Sequence, residues 1–131
     1  MVMADANTMI RCIVGDDEQK IMDFQKVRSS QKVIYTLEVI AEVVYVLTKV
    51  YKVPRKEVSI VVQQFLRARN IVCVNAQIAI RSLQLFAENR LDFVDNVLLA
   101  YHQIKGIKIY SYDHKLMNAI NRGDIEKTSD N

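Results

Sequence analysis

Four acidic residues stand where an α/β fold can bring them together. Asp5 follows the apolar opening of the chain and Asp113 follows the segment IKIYSY, so each is expected where a strand ends and a helix begins. Asp95 falls in the first turn of a helix predicted from DFVDNVLLAYHQIKG, and Glu42 falls inside one predicted from LEVIAEVVYVLTKVY. Strand ends and the following helix starts share one edge of a parallel sheet, where ligands bind. The sequence therefore predicts an acidic site built from distant residues.

Carboxylates that share one crevice repel each other. At about 4 Å, two unit charges cost roughly 4 kcal/mol at an effective dielectric of about 20. Without a cation, one or more of them would have a raised pKa and take up a proton. A divalent cation removes that penalty, and sites made of oxygen ligands suit Mg²⁺ or Mn²⁺. Such an ion can polarise a phosphodiester and turn a bound water into the nucleophile.

Each acid also has a purely structural explanation. Asp5 and Asp113 are suitable helix N-caps, worth roughly 0.5–2 kcal/mol each. Asp95 comes three residues after Asp92, much as in a capping box, and an acid there favours the helix dipole. Glu42 shares a helical stripe with other charged residues and can face solvent. Taken one at a time the structural explanation prevails, whereas the joint pattern favours a metal site.

Short β-branched segments alternate with longer helical patterns along the chain. Strands are expected at MVMAD, KVIYT, IVCV and IKIYSY, with a short edge strand among the last residues. This alternation favours an α/β domain with a central, mainly parallel sheet of four to five strands flanked by helices. We expect a single domain over residues 1–131, of which about 124–131 form a polar C-terminal end.

The composition narrows the class of protein. Half of the 131 residues are apolar and a quarter are charged, which is typical of a globular chain. No apolar stretch approaches the roughly 18 residues that a membrane span needs, and the start has no basic leader. Cys12 and Cys73 lie outside any CxxC pair, which favours reduced thiols in a cytoplasmic protein. The net charge of +3 permits contact with a polyanion without requiring it.

The sequence around the four acids resembles the acidic motifs of PIN-domain ribonucleases. The resemblance is carried by the segments ADANTMIRCIVGDD, EVIAEVVYVLTKVYK and LDFVDNVLLAYHQIKGIKIYSYDHKL. Their order, spacing and overall length are most similar to the VapC toxins of bacterial and archaeal toxin–antitoxin pairs. The likeness runs from Met1 to about Ile120, and four motifs in order form a more specific signal than any one of them.

The resemblance implies a PIN fold and endonucleolytic cleavage of single-stranded or looped RNA, with Mg²⁺ or Mn²⁺ held by the acidic residues. By position, Asp5 and Asp95 would be the principal metal ligands. Glu42 and Asp113 would complete the charge and orient waters or a second ion. The attacking group would be a metal-activated water, with a carboxylate helping to accept its proton. One metal ion and two are both compatible with the sequence.

Two more positions match the family pattern. Asn7 corresponds to the Asn of the family's D-x-N motif. Ser111 stands where many members carry Thr or Ser just before the last acid, a place suited to binding a water or a phosphate. Ala6 replaces a common hydroxyl residue, and SYD stands where TFD is commoner. These departures affect a secondary hydrogen bond rather than the metal site.

The resemblance also implies protein partners. In similar toxins the C-terminal segment of an antitoxin fills a groove and blocks the acidic pocket, and the toxin forms a homodimer. The helices expected around 21–28 and 39–51 are rich in apolar residues and would offer such a groove. We therefore expect an RNA substrate, a cognate antitoxin and a homodimer.

Other polar residues near these motifs have open roles. Asp92 can support the site or cap the following helix, and the capping role is preferred. Arg11 can reach an RNA phosphate or an antitoxin carboxylate, or pair with the acids that follow Gly15. His102 and His114 invite an acid–base mechanism, but a metal-activated water needs no histidine nucleophile.

The preferred function is that of an endoribonuclease toxin, and two alternatives remain. A PIN nuclease in housekeeping RNA processing would use the same chemistry. A catalytically idle PIN-like module that only binds a protein is disfavoured, because loss of one acid would be the simplest route to inactivity. A small nucleotide-binding α/β protein is disfavoured because the sequence has no glycine-rich phosphate loop.

Overall fold

Three short strands and seven helices form the part of the chain that the structure describes. The structure is a computed structural model that describes residues 1–129, with side chains described as far as Asp124. In chain order the elements are β1 (Val2–Met3), α1 (Ala6–Val14), α2 (Glu18–Ser30), β2 (Val33–Tyr35), α3 (Leu37–Lys49), α4 (Arg55–Leu66), β3 (Ile71–Cys73), α5 (Ala76–Glu88), α6 (Phe93–Lys105) and α7 (His114–Ser129).

The sheet is parallel and has the strand order β1-β2-β3. Val33 of the central strand is in register with Val2 on one side and with Ile71 on the other. Because all three strands run the same way, their C-terminal ends lie at one edge, where Asp5 and Thr36 begin the next helices. The expected α/β fold with a parallel sheet flanked by helices is therefore present.

The prediction of four to five strands is wrong for the described part of the chain. Segment 107–112 forms no ladder, and β1 is left as an edge strand with Met3 64% exposed. The β-branched and aromatic residues of segment 107–112 favour a strand, but a strand also needs a neighbouring strand to pair with. The predicted terminal edge strand is also wrong, since α7 extends as far as Ser129. Leu116 and Ile120 of this helix are buried. Residues 130–131 lie outside the described residues.

Local sequence signals set the ends of several helices. Gly15 and Gly106 adopt the left-handed conformation, with φ of 75° and 68°, and end α1 and α6. Thr36 accepts a hydrogen bond from the Val39 amide and caps α3. Asn75 precedes α5 but its side chain makes no capping bond. Among the described helices, none is both long and apolar enough to cross a membrane.

Two hydrophobic clusters meet near the start of α6. The larger one surrounds β2 and includes the fully buried side chains of Tyr35 and Met9. The smaller one joins α5, α6 and α7 through residues such as Leu116. Leu37, the first residue of α3, and Val97 of α6 pack against both clusters. This junction fixes the first turn of α6 beside α3.

Candidate nuclease site

Three aspartates lie close enough to influence one another, and we call Asp92, Asp95 and Asp113 the acidic cluster. Asp95 is half-buried in the first turn of α6. Burial raises the pKa of Asp95, and the negative charges of Asp113 and Asp92 raise it further. Asp113 is exposed at the start of α7, where its Oδ1 accepts a hydrogen bond from the Leu116 amide at 3.0 Å. The cluster therefore joins the starts of two helices that are distant in sequence.

A hydrogen-bonded pair of asparagines, of which Asn96 is buried, holds the first turn of α6 in place. Asn96 is fully buried, and its Nδ2 donates to Asn89 Oδ1 at 3.0 Å and to the Leu91 carbonyl at 3.2 Å. In return, Asn89 Nδ2 donates to Asn96 Oδ1 at 2.6 Å. Because Asn96 directly follows Asp95, this network supports the backbone of the turn that carries Asp95. The predicted elements gave no sign of this pair, because it depends on how the segment after α5 packs on the first turn of α6.

A groove of about 510 Å³ runs between α3 and α6 beside the acidic cluster. Ala41, Val44 and Tyr45 form its α3 side, and Asp92 and Asp95 lie on its α6 side. The groove thus offers an apolar wall that faces two carboxylates.

Arg55 also lines this groove and balances part of its negative charge. Its Nε donates to the Phe86 carbonyl at 3.0 Å, and its guanidinium lies 3.7 Å from the centre of the Phe86 ring. Another guanidinium nitrogen donates to the Leu91 carbonyl. Burial lowers the pKa of Arg55, and the charge of Asp92 opposes that shift. Arg55 was also missed by sequence analysis, because its role depends on contacts with two distant segments.

Asp5 lies at the end of β1, outside the acidic cluster. Its Oδ1 accepts a hydrogen bond from the Thr8 amide at 3.2 Å, as an N-cap does. The Thr8 hydroxyl donates to the Asp5 carbonyl and lies 2.6 Å from the hydroxyl of Tyr35. Burial raises the pKa of Tyr35 to about 12. Asp5, Asn7 and Arg11 line a second cavity, of about 540 Å³, whose walls share no residue with the first groove.

Glu42 is exposed on α3, and within the described part of the chain it is not among the charges that shift Asp95. No three acidic, histidine or cysteine side chains among the described residues are grouped so as to hold a metal ion. Asp113 and Asp92 therefore act electrostatically on Asp95, whereas Asp5 and Glu42 are not among the charges that raise its pKa. That all four carboxylates act in one site stays a prediction.

Two of the predicted supporting residues have partners within the chain. Arg11 forms an ion pair with Asp16 at 2.6 Å and donates to the Tyr51 hydroxyl, which raises the pKa of Arg11. The Ser111 hydroxyl accepts a hydrogen bond from the Asp113 amide at 3.0 Å. Ser111 therefore supports the backbone of Asp113 directly.

The remaining polar candidates are Asp92 and the two histidines. Asp92 occupies the N-cap position of α6, but its side chain makes no capping bond. His102 Nδ1 lies 2.8 Å from the Ile107 carbonyl oxygen, and its Nε2 lies 2.7 Å from Asp124 Oδ1. His102 thus ties α6 to the segment before Asp113 and to α7, whereas His114 is exposed.

Comparison with known protein families identifies the fold. The model of the PIN domain family matches residues 2–121. The chain belongs to the PIN domain family. Searches among curated proteins and among solved structures found no match. PIN domains are generally nucleases and typically use divalent metals, so membership supports a hydrolase function for this PIN domain.

Proposed function

We propose that this PIN domain is a metal-dependent endoribonuclease and the toxin of a type II toxin–antitoxin system. One observation carries the nuclease proposal: Asp95 is held beside Asp113 and Asp92, at a groove wall, so that burial and repulsion both raise its pKa. A protein gains no stability from such an arrangement. Catalytic sites, by contrast, commonly contain groups perturbed in this way.

The carboxylates of the cluster fit Mg²⁺ or Mn²⁺. Mg²⁺ usually binds through one or two carboxylates and keeps waters and substrate phosphates as its other ligands. Asp5 and Asp95 would be the principal ligands of the ion, and Glu42 and Asp113 would complete the charge and orient waters. When bound, the ion supplies polarisation of the phosphodiester and activation of a water.

The chain's own residues supply position and proton transfer. The buried Asn96 orients the turn that carries Asp95, and Ser111 holds the amide of Asp113. A carboxylate beside the ion would help to accept the proton of the attacking water. Arg55 and Lys49, which line the same groove, attract the RNA backbone.

The toxin role is supported by the apolar walls next to the acids. Residues of α3 line the groove beside Asp95, and α2 contributes Phe24 and Val27 to the cavity beside Asp5. Either surface suits the apolar face of an antitoxin segment that would block the site. A homodimer and a cytoplasmic location form part of the same proposal.

Cleavage of single-stranded RNA with Mg²⁺ or Mn²⁺ tests the nuclease proposal. We expect Asp95→Asn and Asp5→Asn to lower the cleavage rate about 100-fold or more, because each removes a charge from the metal site. Glu57→Gln is the matched control, since Glu57 is also an acid in the first turn of a helix. If both Asp variants cleave like the wild type, the proposed site is wrong.

Induced expression in bacterial cells tests the toxin role. We expect the wild-type chain to arrest growth and Asp95→Asn to leave growth unchanged. Co-expression of a small protein encoded beside it should restore growth. A nuclease of housekeeping RNA processing would cleave RNA in the first assay and cause no growth arrest in this one.

A further inference from the structure

Two tyrosines next to the acidic cluster are exposed to an unusual degree. The side chains of Tyr110 and Tyr112 are 85% and 87% exposed, the highest values among the large apolar and aromatic side chains described. Their ring centres lie 5.6 Å apart, the rings are inclined at 72°, and the hydroxyls are 3.1 Å apart. The two rings contact each other, so this ring surface is ordered yet left open to solvent.

Both ends of the segment that carries these tyrosines are anchored. At one end the Ile107 carbonyl oxygen lies 2.8 Å from His102 Nδ1, and at the other Asp113 Oδ1 accepts a hydrogen bond from the Leu116 amide of α7 at 3.0 Å. Asp113, whose charge reaches Asp95, directly follows Tyr112. The ring pair is therefore held beside the carboxylates rather than on a remote surface.

The charges around the ring pair are suited to a polyanion. Lys108 of the same segment and Lys115 in the first turn of α7 are both exposed. No carboxylate of the described residues lies within ion-pair distance of either lysine. Exposed aromatic rings flanked by unpaired lysines are the combination that binds single-stranded nucleic acid, with bases on the rings and phosphates on the cations.

We propose that Tyr110 and Tyr112 form a stacking platform for unpaired RNA bases, which holds the strand beside the acidic cluster. This inference rests on the proposed nuclease function and deepens it. Stacking needs a free face of the base, which a duplex does not offer. The platform would therefore select single-stranded or looped RNA with little preference for sequence.

Binding of RNA in the presence of EDTA tests the platform apart from cleavage. The probe is a short single-stranded oligoribonucleotide that carries 2-aminopurine, whose fluorescence is quenched when the base stacks. We expect Tyr112→Leu and Tyr110→Leu to weaken binding about 5- to 150-fold and to reduce the quench. Tyr112→Phe and Tyr110→Phe are the matched controls, because they keep the ring and lose only the hydroxyl contact.

Two outcomes would overturn the proposal. One is that the Leu variants, shown by circular dichroism to be folded, bind the oligonucleotide as tightly as the wild type. The other is that a duplex of the same sequence binds as tightly as the single strand. If the wild type binds and stacks the probe but cleaves no RNA when metal is restored, the platform stands and the nuclease proposal fails.

Discussion

Asp95 combines burial with repulsion from two neighbouring carboxylates, and its charge should destabilise the folded chain. Because its pKa is raised in the fold, the folded state holds its proton more tightly than the unfolded state does. Stability should therefore fall as the pH rises from the ordinary range of an aspartate through the raised pKa of Asp95. A functional group that opposes stability in this way is common in active sites.

We expect Asp95→Asn, which slows cleavage, to raise the free energy of unfolding at pH 7 when divalent cations are absent. The gain should be a few tenths of a kcal/mol to about 1 kcal/mol, because Asp95 is partly exposed and its repulsion is screened. Urea denaturation at pH 7 measures this gain. At a pH low enough to protonate Asp95, the difference from the wild type should shrink. A variant that is less stable than the wild type at pH 7 would contradict the repulsion argument.

Asn96 has the opposite role, since it stabilises the turn that carries Asp95. We expect Asn96→Ala to lower the free energy of unfolding by about 1–3 kcal/mol, because Asn89 would be left without its buried partner. Cleavage should also weaken as the turn that carries Asp95 loses this support. Urea denaturation of both single variants and of the Asn89→Ala/Asn96→Ala double variant measures the coupling. Fully additive losses would show that the two side chains do not act as a unit.

At the scale of elements, helices were predicted well because their signals are local. Gly15 and Gly106 end α1 and α6 whatever the rest of the chain does, since only the local backbone has to turn. Segment 107–112 has the composition of a strand, but whether it pairs depends on contacts with other elements. Residue pattern alone could not decide that point.

The candidate site was predictable to a similar extent. Asp5, Asp95 and Asp113 stand at helix starts, as their local sequence indicated. Which of them approach each other depends on how α6 and α7 pack, and the sequence carries no local record of that packing. The same reason explains why Asn96 and Arg55 were missed, since each acts through residues of other elements.

His102 connects α6 to α7 and to the segment between them, so its loss should loosen all three. We expect His102→Ala to lower the free energy of unfolding by about 1–3 kcal/mol through loss of its bonds to Ile107 and Asp124. Amide hydrogen exchange in segment 107–113 should become faster, and cleavage should fall about 10-fold or more because Asp113 is less firmly placed. His114→Ala is the matched control and should change neither exchange nor stability. Unchanged exchange in His102→Ala would show that the segment is fixed by other contacts.

The start of α6, which carries Asp92 and Asp95, lies where the two hydrophobic clusters meet. Leu37 and Val97 pack against both clusters, so the positions of α3 and α6 near these residues depend on the packing of both. Any ligand that relieves the repulsion between Asp95 and Asp113 therefore favours the folded state of the whole chain. Metal binding and global stability are linked for this reason.

We expect Mn²⁺ or Mg²⁺ to raise the melting temperature of the wild-type chain in a dose-dependent way. At a free concentration about 100 times the dissociation constant, the gain is about 2.7 kcal/mol for one site that exists only in the folded state. Asp95→Asn and Asp113→Asn should lose most of this gain, whereas Glu57→Gln should keep it. Thermal melts monitored by circular dichroism, with the ions titrated against EDTA, measure the effect. If the ions stabilise the wild type and the three variants equally, they bind elsewhere. Metal binding then does not relieve the repulsion within the acidic cluster.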